Sequence, residues 1–316
     1  MNLHAERGLE YAVQADGLVK SFGKKVAVDH LSLKVPAGSI YGILGPNGAG
    51  KTTTLRMLLG IIRPDQGCRS ILGGLSHLQA ASRIGYLAEE RGLYQDMRVL
   101  DAIAFAGALR GMSHREARQR GLELLVLYDL GDMARSRIKD LSKGMAQIVQ
   151  MIGAIVHDPD LLVLDEPFSG LDAFNQARLE SLIRERAQAG TTILFSTHVI
   201  AHAERLCERV AIIGNGQLRF EGSVDAARDQ LPARVRLGVL APPAEWAAIL
   251  PPDAQYRQDA WHFVFEKGDM AGLLAQLSER AAQVTSLAVE RASLHEAFVA
   301  LSQKNCPMPK GERDAT

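Results

Sequence analysis

The segment Gly45–Thr53, "GPNGAGKTT", constrains the fold of this 316-residue chain more than any other part of the sequence. It follows a short apolar run, "SIYGILG", and precedes "TTTLRMLLGII", which has the pattern of a helix. The segment fits G-x-x-x-x-G-K-[ST] at Gly45, Gly50, Lys51 and Thr52. Glycines let the backbone wrap closely round a phosphate, and the following helix adds its positive N-terminal end. The sequence therefore predicts a strand, a phosphate-binding loop and a helix.

Two side chains of this loop have predicted chemical roles. Lys51 is expected to reach the β- and γ-phosphates of a nucleotide, and the Thr52 hydroxyl is expected to ligate Mg²⁺. The other residues expected to contact the nucleotide are Gly45, Pro46, Asn47, Gly48, Ala49, Gly50 and Thr53. The alternative is a glycine turn that fits the pattern by chance, which average residue usage allows in on the order of one per cent of chains this long. The position between a strand and a helix favours the phosphate site.

A second apolar run, "LLVLDEP", ends in two carboxylates, Asp165 and Glu166. Open α/β sheets place their ligands at the carboxyl ends of strands. Asp165 is expected to hold the Mg²⁺ shell, and Glu166 to orient and deprotonate the water that attacks the γ-phosphorus. His198 ends a third run, "ILFST", and is a candidate hydrogen-bond partner of the γ-phosphate. An isolated Asp-Glu pair is more often solvated surface charge, and a lone histidine at a strand end is more often structural.

The remaining pattern predicts an α/β core with a helical insertion. Residues 11–41 alternate like strands, whereas the pattern between about 90 and 160 is helical. Ser113 and Glu116, in "SHRE", have the spacing of a capping box. One face of a later helix is predicted to be apolar, at Ile148, Val149, Ile152, Ile155 and Val156.

The sequence changes character from about residue 224, where turn-rich segments such as "APPAEW" appear. The run "WHFVFE" alternates, with Trp261, Phe263 and Phe265 on one side, and two amphipathic helical patterns follow it. We therefore predict a small α+β domain over residues 230–303. Residues 304–316 have the composition of a disordered tail.

Bulk composition excludes some classes of protein. Lys+Arg and Asp+Glu number 36 each, so no overall charge favours nucleic acid or an anionic membrane surface. The cysteines, Cys68, Cys207 and Cys306, lie far apart and are expected to be reduced thiols. The first residues carry charges where a signal peptide needs an apolar run. No apolar stretch reaches the roughly 20 residues of a membrane helix, so we expect a soluble protein that meets a membrane only through a partner.

Five segments in order, "GPNGAGKTT", "LSKGMAQ", "LLVLDEP", "SGLD" and "STH", resemble the ATP-binding cassette of ABC transporters over roughly residues 11–222. The resemblance implies a P-loop α/β fold with a mixed sheet core, an antiparallel β subdomain and a helical subdomain, here an ATP-binding domain over 11–224. The segments "YLAEERGLY" and "LSKGM", with the extra C-terminal domain, resemble bacterial or archaeal cassettes that pair with separate membrane permeases, usually for export.

The resemblance also implies that two cassettes pair head to tail, as a homodimer or with a related cassette. Ser142 and Gly144 of one chain would then close over the ATP held by the other, and Asp172 would lie at the dimer seam. A serine at a helix start suits an anion, because it offers a hydroxyl, free N–H groups and the helix dipole. The family signature is typically LSGGQ, so Lys143 and Met145 are departures. Lys143 either faces the neighbouring nucleotide or is solvated.

Two further positions carry over from the family pattern. Phe22, in "KSFGKK", stands where the family stacks an aromatic ring on adenine, and a simple core phenylalanine is the alternative. Glu89, in "YLAEE", stands where many relatives have a glutamine that ligates Mg²⁺ and signals to the membrane partner. A carboxylate binds Mg²⁺ as well as an amide does, but it adds negative charge beside the phosphates.

The sequence therefore predicts the ATPase subunit of an ABC transporter, with ATP and Mg²⁺ as ligands. ATP would close the dimer and hydrolysis would reopen it, while the segment from Glu89 to Tyr94 passes the movement to an integral membrane permease. The subunit would be cytoplasmic, attached to the inner face of the membrane through that permease. A soluble ABC ATPase acting on ribosomes or DNA is the alternative, but it would generally carry two cassettes or a long coiled coil, and the balanced charge gives no nucleic-acid footprint. A nucleotide kinase or GTPase would not need "LSKGMAQ" or "SGLD".

Overall fold

The computed structural model describes residues 9–75, 77–90, 92–240, 243–247, 249–265, 270–278 and 283–303. The predicted disordered tail, with Cys306, lies outside these ranges. The described chain divides into two compact units, 9–221 and 222–303. The division falls close to the predicted end of the cassette at residue 224, inside a strand that runs from Gln217 to Ser223.

The first unit begins with a three-stranded antiparallel sheet in the order β2-β1-β4. The strands are β1 (Tyr11–Phe22), β2 (Lys25–Pro36) and β4 (Gln66–Ile71). Alternating residues of β2 point to opposite faces, so Leu31, Leu33 and Val35 are buried while the residues between them are exposed. The buried face joins the core of this unit.

A six-stranded sheet forms the centre of the first unit, in the order β5-β6-β7-β3-β8-β9. Its strands are β3 (Ile40–Leu44), β5 (Ile84–Leu87), β6 (Leu161–Asp165), β7 (Thr192–Thr197), β8 (Arg209–Gly214) and β9 (Gln217–Ser223). The five strands from β5 to β8 pair in parallel. Every residue of β3, β6 and β7 is buried, as expected for strands covered on both faces. Their neighbouring carboxyl ends bring distant parts of the sequence to one edge.

Helices connect and cover these strands, and the predicted helical insertion lies between β5 and β6. The helices of the unit are α1 (Lys51–Leu58), α2 (His77–Ala81), α3 (Val99–Ala108), α4 (His114–Leu127), α5 (Lys143–Ile155), α6 (Ala173–Gln188) and α7 (Ile200–Leu206). Short 3₁₀ turns at Gly131–Arg135 and Ile138–Asp140 precede α5. The capping box of α4 is confirmed, with both reciprocal hydrogen bonds between Ser113 and Glu116. The apolar face predicted for residues 148–156 is confirmed as well, since all five named side chains are buried.

The second unit contains a four-stranded antiparallel sheet in the order β11-β12-β10-β13. Its elements are α8 (Val224–Arg228), β10 (Ala233–Val239), α9 (Pro243–Ala247), β11 (Gln255–Arg257), β12 (Ala260–Phe265), α10 (Met270–Ser278), β13 (Val284–Glu290) and α11 (Leu294–Gln303). Trp261, Phe263 and Phe265 are buried on one side of β12, as their alternation predicts. They pack in a cluster with the fully buried Trp246.

Candidate active site

The carboxyl ends of three adjacent strands form the candidate site. In the sheet, β7 lies between β3 and β6, with Leu44 opposite Thr197 and Asp165 opposite Ser196. The loop after β3 contains the phosphate-loop residues, the turn after β6 contains Glu166, and His198 follows β7 directly. The parallel register therefore brings together the residues that the sequence predicts for phosphate binding and hydrolysis.

The phosphate loop is tightly packed at Gly45 and Gly50, where the space available requires a glycine. At Gly50 the backbone is left-handed, with φ +104°, and an added Cβ would lie 2.4 Å from the Ala27 carbonyl oxygen. At Gly45 an added Cβ would lie 2.6 Å from the Ile213 carbonyl oxygen. No side chain caps α1 at Gly50, so its first-turn N–H groups remain available to an anion.

Lys51, the first residue of α1, is only 6% exposed. Its Nζ donates hydrogen bonds to the carbonyl oxygens of Gly45 at 2.9 Å and Pro46 at 3.2 Å. The same atom lies 3.2 Å from Oε1 of Glu166. A buried ammonium held this way is fixed in position beside the loop, and an arriving phosphate would compete with Glu166 for it.

Glu166 is buried and lies between two nitrogen groups. Its Oε1 is 3.0 Å from Nδ1 of His198, whose side chain is 43% exposed, as well as 3.2 Å from Lys51 Nζ. The backbone at Glu166 is left-handed, with φ +46°. Such conformations are strained for residues other than glycine, and they concentrate at functional sites. The backbone N–H of Glu166 donates to Ser196 Oγ at 3.1 Å, which holds the turn against β7.

Asp165 is fully buried, and its two oxygens have different surroundings. Oδ1 accepts hydrogen bonds from Thr52 Oγ1 at 3.1 Å and from Ser196 Oγ at 2.6 Å. Oδ2 has no hydrogen-bond partner among the described residues. A buried carboxylate oxygen without a partner beside a threonine hydroxyl fits a hard cation such as Mg²⁺.

No group of three or more His, Cys, Asp or Glu side chains capable of holding a metal occurs in the described ranges.

A cleft of about 390 Å³ is lined by Lys51, Thr52 and Glu166, whereas Asp165 and His198 are not among its lining residues. Its walls include Phe22, Glu89 and Glu166 together with Asn47, Gly48, Gly50, Lys51, Thr52 and Thr53. The alternative reading of Phe22 as a core residue is wrong, since its side chain is 51% exposed. Glu89 is exposed at the same cleft. A larger cavity, about 1010 Å³ on the polar face of the three-stranded sheet, contains none of the predicted site residues, and its size alone gives it no chemistry.

The signature residues lie apart from this cleft, since none of them is among its lining residues. Ser142 is exposed and caps α5, where its Oγ accepts a hydrogen bond from the Met145 N–H at 3.2 Å. Lys143 is also exposed, whereas Gly144 is buried. An added Cβ on Gly144 would lie 2.3 Å from Nδ2 of Asn175, so this position has room only for glycine in the present packing.

Asp172, predicted for a dimer seam, is exposed and caps α6. Its Oδ1 accepts from the Asn175 N–H at 3.0 Å, and its Oδ2 accepts from Asn175 Nδ2 at 2.8 Å. These hydrogen bonds lower the pKa of the Asp172 carboxyl. The side chain is therefore ionised and available at the surface.

Sequence reasoning missed two residues that position the site. Ser196 bridges Asp165 and Glu166, and the only signal in the sequence is a small polar residue inside an apolar strand. Gln147 donates from α5 to the Pro167 carbonyl oxygen at 3.0 Å while it is only 4% exposed. The sequence shows a polar residue on the apolar face of a helix, but it does not show that the Pro167 carbonyl oxygen is its partner.

The fold and the cleft define a phosphate-loop nucleotide-binding protein, and comparisons with known proteins narrow the class. The family described as ABC transporter matches residues 28–169. The daunorubicin/doxorubicin resistance ATP-binding protein DrrA of Streptomyces peucetius is 33% identical over 310 residues, which cover 92% of each chain. The Nod factor export ATP-binding protein I of Paraburkholderia xenovorans is 39% identical over 220 residues, 69% of this chain and 72% of that protein.

A solved structure supports the fold. The structure titled "Dimeric Structure of MJ0796, a Bacterial ABC Transporter Cassette" aligns with a TM-score of 0.62 at 23% identity, covering 67% of this chain and 98% of that one. The chain therefore belongs to the ABC transporter family as an ATP-binding subunit. The cassettes of this family hydrolyse ATP to power transport. The predicted P-loop cassette fold is confirmed. Within the described ranges, no helix is both long and apolar enough to cross a membrane.

Proposed function

We propose that two copies of this chain, or this chain and a related cassette, bind ATP and Mg²⁺ between them and couple hydrolysis to export through a separate membrane permease. The observation that carries the proposal is the separation of two half-sites on one chain. Ser142 is not among the residues that line the phosphate cleft. It is exposed at the start of α5. Head-to-tail pairing would supply each cleft with the residues it lacks. The related cassette MJ0796 is dimeric by its title.

Within each cleft, we assign nucleotide binding to the phosphate loop and adenine stacking to Phe22. Lys51 would exchange its contact with Glu166 for the β- and γ-phosphates, because both compete for one ammonium. Thr52 and Asp165 would hold Mg²⁺, with Glu89 as a further candidate at the exposed wall. When bound, the ion would neutralise charge on the phosphate oxygens.

Glu166 is the proposed general base. Once Lys51 contacts phosphate, the Glu166 carboxylate is free to accept a proton from the attacking water. His198 lies 3.0 Å from the same carboxylate and its side chain is 43% exposed, so we assign it a hydrogen bond to the γ-phosphate. Ser142, with Lys143 and Gly144, would contact that phosphate from the partner chain, and Asp172 would face the opposite phosphate loop.

The substitution Glu166→Gln tests the assignment of the base. Because it keeps the size of the side chain but removes the proton acceptor, ATP binding should persist while turnover falls by roughly 10²- to 10⁴-fold. The variant should also accumulate as an ATP-bound dimer, measured by size-exclusion chromatography with and without Mg-ATP. Near-normal hydrolysis by this variant would reject Glu166 as the base.

Mixed dimers test the shared site. A Ser142→Arg chain retains its phosphate loop, and a Lys51→Ala chain retains its signature serine, so only the mixed pair contains one complete site. A non-hydrolysable ATP analogue should trap the mixture as a dimer with one nucleotide, whereas each variant alone should remain monomeric. If the mixture traps no dimer although the wild-type chain does, the head-to-tail model fails.

A patch on the helical insertion is the proposed contact with the permease. Tyr94 is 66% exposed, Phe105 is 42% exposed, and their rings lie 6.3 Å apart. A cavity of about 240 Å³ is lined by Gly92 and Leu93 and by mostly apolar residues of the helical insertion, including Ala102 and Ala106. Exposed apolar surface of this kind marks protein contacts. The patch would carry movement from Glu89 to the permease and hold the subunit at the cytoplasmic face of the membrane.

Export is proposed as the direction of transport, because one relative is named for Nod factor export and another for drug resistance. Membrane sedimentation tests the permease contact. The chain should sediment with membranes only when a polytopic permease is co-expressed. The substitution Tyr94→Glu should release it without changing ATP hydrolysis by the purified chain. Sedimentation without any membrane partner would contradict this part of the proposal.

A further inference from the structure

The segment Glu166–Leu171 joins β6 to α6 and is held from the side by α5. Gln147, on α5, donates its Nε2 hydrogen bond to the Pro167 carbonyl oxygen at 3.0 Å. Gln147 is only 4% exposed, and Pro167 is buried. Because the groups are buried, loss of the donor would leave a carbonyl oxygen without water to replace it. The contact therefore fixes α5 to the residue that directly follows the proposed base.

The same helix presents Ser142 at its start. Gln147 is five residues further along, so the two lie about 7.5 Å apart along a single helix of 13 residues. A short helix is stiff over this distance, and a displacement of its first turn would move Gln147 with it. Through α5 and Gln147, the structure thus links the exposed Ser142 to the backbone of Pro167, the residue after the proposed base.

A second contact joins the same two regions. Asn175 lies against Gly144 so closely that no Cβ fits between them, and its amide also donates to Asp172. Asp172 follows the segment Glu166–Leu171 directly. The first turn of α5 therefore contacts the far end of that segment through Asn175, while Gln147 contacts its near end.

We infer that Gln147 is a positioning residue that couples the two nucleotide sites of the dimer. The inference rests on the proposed function, in which Ser142 contacts the ATP bound by the partner chain and Glu166 is the general base for the ATP in its own cleft. Engagement of Ser142 displaces α5, Gln147 carries the displacement to Pro167, and Glu166 is aligned best when both sites are filled. Coupling of this kind appears as cooperative hydrolysis.

Steady-state hydrolysis by the full-length chain over a range of Mg-ATP concentrations tests the inference. The wild-type Hill coefficient should exceed 1 and approach the limit of about 2 that two sites allow. Gln147→Met removes the donor at nearly constant volume and should lower the coefficient to about 1. Gln147 does not line the cleft, so the affinity of the monomeric chain for a fluorescent ATP analogue should change less than about twofold.

Two more variants distinguish loss of coupling between the sites from a general loss of stability. Gln176→Met is the matched control, because Gln176 Nε2 donates to the Leu171 carbonyl oxygen at 3.0 Å but comes from α6 rather than α5. It should lower thermal stability while retaining cooperativity. Asn175→Ala cuts the second contact at a half-buried position, so it tests the link even if Gln147→Met fails to fold. It should lower the Hill coefficient partway.

The outcomes distinguish this inference from the proposed function. If Gln147→Met folds and keeps the wild-type Hill coefficient, or if Asn175→Ala keeps it when Gln147→Met does not fold, the inference is overturned. A wild-type coefficient of 1 in a chain that still forms ATP-dependent dimers overturns it as well. The absence of ATP-dependent dimers would instead reject the proposed function itself.

Discussion

The two half-sites on this chain differ in how their polar groups are satisfied. In the phosphate half, Lys51, Asp165 and Glu166 are buried and contact one another or the loop. In the signature half, Ser142 is exposed, and within the described part of the chain its hydroxyl bonds to the first turn of its own helix. The first half is preorganised, and a ligand has to displace an internal contact. The second half gains a further partner only from outside the chain.

The largest expected effect comes from the preorganised half. Lys51→Met removes the buried cation that holds Glu166 and would hold phosphate, and loss of one member of a buried charge pair costs about 2 to 5 kcal/mol. ATP affinity should therefore fall by about 30-fold or more, measured by isothermal titration calorimetry. Lys25→Met, at the wall of the same cleft, is the control for loss of charge alone. Equal losses in both variants would show that the buried contacts of Lys51 are unimportant.

Substitutions at two glycines of the same loop distinguish the effect of steric packing from the effect of backbone strain. Gly50→Ala places a Cβ 2.4 Å from a backbone oxygen at φ +104°, whereas Gly48→Ala meets nothing within 4 Å at φ +79°. Left-handed strain alone costs about 1 to 2 kcal/mol, so Gly48→Ala should lower Tm by several degrees. Gly50→Ala should lower it further and impair ATP binding. Equal Tm values for the two variants would argue against a tightly packed loop.

A smaller effect is expected in the signature half. Ser142→Ala should cost about 1 kcal/mol of stability through loss of the α5 cap, and should also weaken the ATP-dependent dimer. Ser113→Ala is a matched control, because Ser113 caps α4 with comparable hydrogen bonds. It should lower Tm similarly and leave the dimer intact. If both variants dimerise as the wild-type chain does, Ser142 has only its helix-capping role.

A pH dependence of stability is expected from a residue outside both half-sites. Burial lowers the pKa of His157 to about 4, and its Nε2 lies 3.2 Å from the Ile84 carbonyl oxygen. The unfolded histidine binds a proton near pH 6.5 whereas the folded one does not, so stability should decrease as pH falls from about 6.5 to about 4. Thermal unfolding at pH 7.5 and 5.5 should show a smaller Tm difference in His157→Gln. An unchanged difference would exclude His157 as a source.

Much of the fold follows from periodicity, because buried strands and one-sided helices leave strong local patterns. The strand before Gly45, the capping box at Ser113 and the alternation through Trp261 all have the predicted structure. These features depend on neighbours in sequence. The phosphate loop could be predicted equally well, because the ligand and the turn fix the spacing of its glycines and lysine.

The missed contacts are long-range and could not be read in the same way. The hydroxyl of Ser196 meets Asp165 across 31 positions of sequence, and the amide of Gln147 meets Pro167 across 20. Such partners are set by the register of β6 against β7 and by the packing of α5. The ion pair between Lys51 and Glu166 has the same origin. Composition and spacing predict each residue type, but only the packing selects its partner.

The left-handed turn at position 166 has a consequence for how this reaction centre tolerates change. Consecutive residues of an extended strand face opposite ways, yet Asp165 and Glu166 both reach the phosphate loop. The left-handed backbone at Glu166 accompanies this arrangement, in which Asp165 contacts Thr52 and Glu166 contacts Lys51. Branched side chains such as valine or threonine fit this conformation poorly. A replacement at position 166 therefore has to fit the main-chain shape as well as supply the acidity.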